Sequence, residues 1–97
     1  MFEHDSRILQ IKLPDMLSKD DYPLIHEEVK ARLVKDPQSL ILFNFEDVKE
    51  VSEIFLKSLT ILKEIGVVIY IININPDIFS KEVYSRIIHA AIVYRRI

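Results

Sequence analysis

The chain contains no cysteine. That excludes disulfides, thiolate nucleophiles, thiol redox switching and cysteine-ligated zinc together. It has one glycine, Gly66. A single glycine cannot build a phosphate-cradling loop, and neither G-x-G-x-x-G nor G-K-[ST] occurs. Basic charge is not in excess: 13 Lys and Arg stand against 15 Asp and Glu, for a formal net charge of −2. No general positive field gathers phosphates, which argues against nucleic acid as a partner. Long apolar runs are missing too. The longest, VVIYII at 67–72, falls far short of the roughly 20 residues that a membrane-spanning helix needs, so no membrane insertion is expected. The histidines His4, His26 and His89 show no metal-ligand spacing, and no metal or other cofactor is expected. The N-terminus, MFEHD, is acidic and lacks an apolar signal core, so a cytoplasmic location is expected.

What remains is a chain of 97 residues, 49% hydrophobic and 29% charged. That suits one small folded domain, residues 1–97, with a real but modest core. Residues 7–13, RILQIKL, alternate, with Leu9, Ile11 and Leu13 on one side, as in a half-buried strand. Asp20 or Asp21 can cap a helix that tolerates Pro23 in its first turn. Ile25, Val29 and Leu33 share one face of that helix, and Asp36-Pro37 stops it. LILFNF, at 40–45, is apolar on both faces and predicts a central strand covered by helices on both sides. A second helix is expected over 52–65, with Gly66 at the left-handed position after it. VVIYII predicts another central strand, and Asn75-Pro76 ends that region. A last helix is expected from Ser80 onward, with Val83, Ile87, Ala91 and Tyr94 on one face and Arg95-Arg96 in its final turn. The order β-α-β-α-β-α implies an α/β domain with a mostly parallel or mixed sheet.

In such a sheet, sites gather beyond the carboxyl ends of the strands. That edge contains Asp15, the loop 46–51, Ser52 and Glu53, and the polar groups Asn44, Asn73, Asn75 and Asp77. Ser52 reads locally as a helix N-cap, with Val51 and Leu56 placed as a hydrophobic staple. Glu53 then sits in the first turn, where a carboxylate suits the helix dipole, and is spaced to pair with Lys57. Asp47, Glu50 and Glu53 suit a solvated loop better than a metal site. No serine has a histidine and an acid beside it in the sequence, so no catalytic triad is legible and no enzyme is expected. Arg86, Arg95 and Arg96 lack interleaved aromatics and suit a helix terminus better than an RNA surface. Phe43, Phe45, Phe55, Phe79, Tyr70 and Tyr84 read as core or half-core. Phe55 or Ile54 standing toward solvent would mark a contact surface.

The stretch 40–66, LILFNFEDVKEVSEIFLKSLTILKEIG, resembles the central signature of STAS domains, the anti-sigma-factor antagonist family. Asn44 matches the polar residue that ends the family's strand, and Val48 and Val51 match its loop apolar positions. Leu56 and Leu59 match its helix core, and Gly66 its terminal glycine. The likeness extends outward to the helix before this stretch and the strand and helix after it. The family's Asp-Ser-Ser-Gly is replaced by Ser52, Glu53, Ile54 and Phe55, which puts Glu53 at the usual phosphoserine position. The first hairpin is shortened to about one strand, and no further strand is expected after the last helix.

The resemblance implies a degenerate STAS-like domain acting as a non-catalytic regulatory module. Ser52, Glu53, Phe55 and Lys57 form its partner-binding or phosphosite-equivalent set. The implied partner is a regulatory protein such as a serine kinase acting as an anti-sigma factor. A second copy of the chain is a further candidate partner, on the strength of its many Ile and Leu residues. Two alternatives stay open. One is a small ligand-binding domain or enzyme that uses Asn44, Asn73, Asn75 and Asp77. The other is an accessory subunit of a transporter.

Overall fold

The computed structural model describes residues 7–94. His4, the acidic N-terminus and Arg95-Arg96 lie outside the described residues. The elements run β1 (Ile8–Lys12), α1 (Asp21–Lys35), β2 (Leu40–Asn44), α2 (Glu53–Glu64), β3 (Ile69–Ile72), α3 (Lys81–Ala90) and β4 (Ile92–Val93). A 3-10 turn, Pro76–Ile78, precedes α3. The molecule is therefore a small α/β domain, and the expected β-α-β-α-β-α order is present.

The sheet has the order β1-β2-β3-β4, and every adjacent pair is parallel. This order decides where the helices go. Each connection is a crossover to the next strand in the same direction. Right-handed crossovers that all step one way deliver every helix to the same face. The helices accordingly pack side by side, α1 against α2 and α2 against α3. This corrects the expectation of central strands covered on both sides. A continuous apolar run is common in a sheet buried on both faces, but among the described residues the topology leaves one face without a helix layer.

Burial follows the pleat. Ile41 and Phe43 of β2 and Ile69 and Ile71 of β3 are fully buried under the helices. They meet Val29 of α1, Phe55, Leu59 and Leu62 of α2, and Ile87 of α3 in one core. Phe55 stands at its centre, with ring centroids 6.0 Å from Tyr22, 6.2 Å from Phe43 and 5.9 Å from Phe45. Tilted and edge-on rings at this separation add to simple area burial. In β1 the expected alternation holds, with Leu9 and Ile11 half-buried and Ile8, Gln10 and Lys12 exposed.

The ends of α2 obey local chemistry. Ser52 caps the start, accepting the Phe55 N–H at 3.3 Å. Gly66, at φ 94°, closes the other end. Its N–H reaches the Lys63 carbonyl at 3.0 Å, and the Val67 N–H reaches Leu62 at 2.9 Å. This is the Schellman pattern, which needs a left-handed residue at that place. The start of α1 differs from expectation. Asp20 holds the cap position in a helical conformation and makes no capping bond. Asp21 instead accepts the Ser18 N–H at 2.7 Å.

The last helix is shorter than its periodicity suggests. It stops at Ala90, and Ala91 is already extended at φ −146°, ψ 164°. Ile92 and Val93 then align with Tyr70 and Ile71 as a fourth strand. The Tyr94 N–H donates to the Ile71 carbonyl at 2.8 Å. The expectation of no further strand is thus overturned, as is the placing of Ala91 and Tyr94 on the helix face. Two consecutive β-branched residues favour an extended backbone, and β3 offers them an edge to pair with.

Candidate functional site

The carboxyl ends of β1, β2 and β3 and the start of α2 lie together, as the topology requires. The segment after β1 is tied to the loop after β2. The Lys49 N–H donates to the Asp15 carbonyl at 2.9 Å, and Met16 bridges Glu50. A crevice of about 630 Å³ opens here. Its lining includes Asp15, Glu46, Asp47, Lys49 and Asn75. Beside it, Lys12 Nζ lies 3.4 Å from both Glu46 and Asp47. The Asp47 carboxylate, with help from Glu46, holds the Lys12 ammonium above its usual range.

The four asparagine and aspartate groups at this edge divide into two local structures. Asn44, buried at the end of β2, uses one oxygen twice. It accepts the Glu46 N–H at 2.9 Å and the Asn73 side-chain amide at 3.2 Å. Asn73 has φ 59°, a conformation that asparagine tolerates better than most residues. The pair stitches the ends of β2 and β3 together. Asn75 accepts the Asp77 N–H at 3.1 Å and caps the 3-10 turn. The Asn44 oxygen and the Asn75 oxygen are thus already engaged in holding the backbone.

Ser52 is more than a cap. Its hydroxyl also meets the Tyr22 hydroxyl of α1, and Tyr22 reaches the Leu17 carbonyl at 3.4 Å. One proton arrangement satisfies every contact: Ser52 donates to Tyr22, Tyr22 donates to Leu17, and Ser52 accepts from Phe55. The Ser52 hydroxyl then uses its one donor and one of its two acceptor sites. The start of α2 is thereby fastened to α1.

Glu53 is fastened to the other neighbour. Arg86 Nη1 of α3 donates to Glu53 Oε1 at 2.7 Å. This hydrogen bond holds the Glu53 carboxyl below the usual carboxylate range, with Lys57 adding only its field. The expected pairing with Lys57 gives way to Arg86, which is 33 residues distant. Nothing in local spacing signals that pair. Arg86 is thus part of an ion pair between α3 and the start of α2.

Phe55 departs from its expected role. It is 1% exposed and belongs to the core, so a partner cannot reach it. Its helix neighbour takes the outward position. Ile54 is 51% exposed, Ile61 50% and Ile65 61%. At spacings of seven and four they follow one stripe of α2, with Lys57 between the first two. Ser52, Glu53, Ile54 and Lys57 are thus brought together at one end of the stripe.

One further pair escaped the sequence. His26 Nε2 of α1 meets Ser58 Oγ of α2, and Ser58 is buried. Burial, and then Lys30, lower the His26 pKa and favour neutral imidazole. The pair has the elements of a nucleophile and a base. It joins α1 to α2 as a helix-to-helix tie. Among the described residues no cluster of His, Asp or Glu could hold a metal ion, and no helix is long and apolar enough to cross a membrane.

No protein-family model and no curated protein sequence matches the chain.

Proposed function

We propose that this chain is a non-catalytic regulatory module that binds another protein through the outer stripe of α2 and the loop 46–53. In this reading it is a degenerate relative of the anti-sigma-factor antagonists, and its partner is a regulatory protein such as a serine kinase acting as an anti-sigma factor. The observation that carries the proposal is the α2 stripe. Ile54, Ile61 and Ile65 face solvent on a helix whose other side is fully packed. Exposed aliphatic side chains set among charged ones suit a protein contact. Glu53 supplies a permanent negative charge where the family carries a phosphoserine, whose charge would be nearly twice as large. Ser52, with its hydroxyl engaged, is a poor phosphoacceptor. The module therefore works as a constitutive surface without a phosphorylation switch.

The test is affinity capture from the native host followed by identification of what binds. Ile54→Asp with Ile61→Asp is expected to lose the partner while keeping a native circular dichroism spectrum. Val34→Asp, on the far part of α1, is expected to keep it. Identical capture by all three proteins would sink the proposal.

The carboxyl-edge crevice favours a second reading, a small polar ligand held near Asp15, Asp47 and Asn75. A ligand that binds only the native state raises the melting temperature. A screen of nucleotides and divalent cations that leaves the melting temperature unmoved removes this alternative.

A further inference from the structure

A second hollow opens at the amino edge of the sheet, opposite the crevice at the carboxyl ends. Its volume is about 410 Å³, within the roughly 300–1,000 Å³ of small-molecule sites. Leu33 from the last turn of α1, Ile65 and Val67 from the turn after α2, and Leu40, Val68 and Tyr70 from the starts of β2 and β3 form its apolar wall. Gly66 adds bare backbone, where an added Cβ would meet no atom within 4 Å.

Ser39 also lines this hollow. Among the described residues, its hydroxyl is the one buried side-chain polar atom with no hydrogen-bond partner. The main chain there is satisfied, since the Ser39 N–H donates to the Asp36 carbonyl at 3.0 Å. A buried hydroxyl left unpaired destabilises the fold, and native structures carry few of them without a use. The residue falls two positions before buried Ile41, on the helix side of the strand. Its oxygen is closed to solvent, so an occupant engages it through a change of χ1, the one torsion that moves it.

We propose that this hollow binds a small primary amine with an aliphatic body, its ammonium group hydrogen-bonded to Ser39. The head group follows from the surrounding charge. α1 ends at Lys35 and α2 at Glu64, and the last residues of both helices border the hollow. Helix carboxyl ends present carbonyls and a partial negative charge, which favour a cationic donor. The lining has no Lys, Arg or His to receive a carboxylate or phosphate. The aliphatic wall and the Tyr70 ring suit the body of the ligand.

Neither end of the described chain runs into the hollow. Arg7 lies on the β1 side of Leu40, where its carbonyl accepts the Leu40 N–H, whereas Val67, Val68 and Tyr70 place the hollow on the β3 side. Tyr94 leaves β4 beside Ile71, toward the carboxyl end of β3. Ile54 and Ile61 take no part, so the site stands or falls independently of the partner surface proposed on α2.

Methyl-detected NMR of the full chain at pH 7 tests this, with hexylamine, hexanol and hexanoate as probes. Hexylamine is expected to move the methyl signals of Leu33, Leu40, Ile65 and Val67 with saturation, at a dissociation constant on the order of 10 mM for so small a ligand. Hexanol lacks the charge and is expected to bind roughly threefold more weakly, and hexanoate not at all. The methyls of Ile54 and Leu24 stay in place. Equal binding of amine and carboxylate overturns the proposal. So do amine shifts that never saturate, or that centre on Val48 and Ile78 in the acidic carboxyl-edge crevice.

Ser39→Ala separates binding from folding. Removing an unpaired buried hydroxyl is expected to leave the melting temperature equal or higher, while hexylamine binds roughly fivefold more weakly. A variant that binds hexylamine as the wild type does overturns the proposal. A variant that melts lower or fails to fold overturns it too, because the hydroxyl would then already serve the fold.

Discussion

Leu42 and Phe43 are neighbours on β2 and both are apolar, yet they meet opposite conditions. Phe43 lies under the helices at 1% exposure and touches the ring of Phe55. Leu42 points the other way, into the face that no helix covers among the described residues. The difference comes from connectivity and not from residue type. Three crossovers stepping in one direction put all helix packing on one side. An apolar strand therefore shows that both faces want cover, but the strand order decides which face the chain covers by itself.

The largest expected effect sharpens this contrast. Phe43→Ala opens a cavity beside Phe55 and should cost about 3–5 kcal/mol of unfolding free energy. Leu42→Ala removes a side chain that the single chain only half buries and should cost about 1 kcal/mol at low protein concentration. Urea titration of both variants measures the two values. Equal costs would mean that the two faces are equally packed and would break the comparison.

The cap of α2 comes next. Ser52→Ala removes the acceptor for the Phe55 N–H and the donor to Tyr22. A lost N-cap costs about 1 kcal/mol. Ser52→Asp keeps an acceptor at the same place and should retain most of that stability. If Ser52→Ala unfolds at the same urea concentration as the wild type, the cap and the Tyr22 contact contribute nothing.

Much of this was legible before the structure. The alternation in RILQIKL, the cap at Ser52, the staple at Val51 and Leu56, and the turn at Gly66 all follow from chemistry within a few residues. Val51 and Leu56 do lie in the same core cluster. The misses share a different cause. The coverage of β2 depends on strand order, a property of the whole chain. Glu53–Arg86, Tyr22–Ser52 and His26–Ser58 join residues 30 or more apart, where no spacing rule applies. Phe55 and Ile54 sit side by side in the first turn of α2, and a rotation of 100° per residue puts one in the core and the other in solvent. The end of α3 was missed because Ala91 and Tyr94 continue its period while pairing with β3 holds Ile92 and Val93 extended.

The two ties that hold α2 to its neighbours offer smaller effects with opposite chemistry. His26 is partly buried and its pKa is lowered in the fold. The unfolded chain then takes up a proton before the folded one does. Stability from this group is complete above the ordinary histidine value of about 6.5 and is lost as pH falls toward the folded value. The wild type should therefore lose stability on going from pH 7 to pH 5.5, and His26→Gln should lose less. Parallel pH profiles for the two proteins would show that the His26–Ser58 contact is not coupled to folding.

The Glu53–Arg86 tie should give the smallest change, because both side chains are well exposed and their attraction is screened. Its signature is a position on the pH axis more than a size. The Glu53 carboxyl is held down by Arg86, so its contribution is present above the ordinary carboxylate range and disappears as pH falls through it. Arg86→Gln removes the cationic donor but keeps a side chain of similar reach. Carbon-detected NMR titration of the Glu53 carboxyl should show its midpoint rising in Arg86→Gln, and rising in the wild type as salt is added. A midpoint that stays put in both cases would mean that Glu53 is free in solution. The start of α2 would then carry an unpaired carboxylate beside Ile54, and the partner surface would be more acidic than the packed structure makes it.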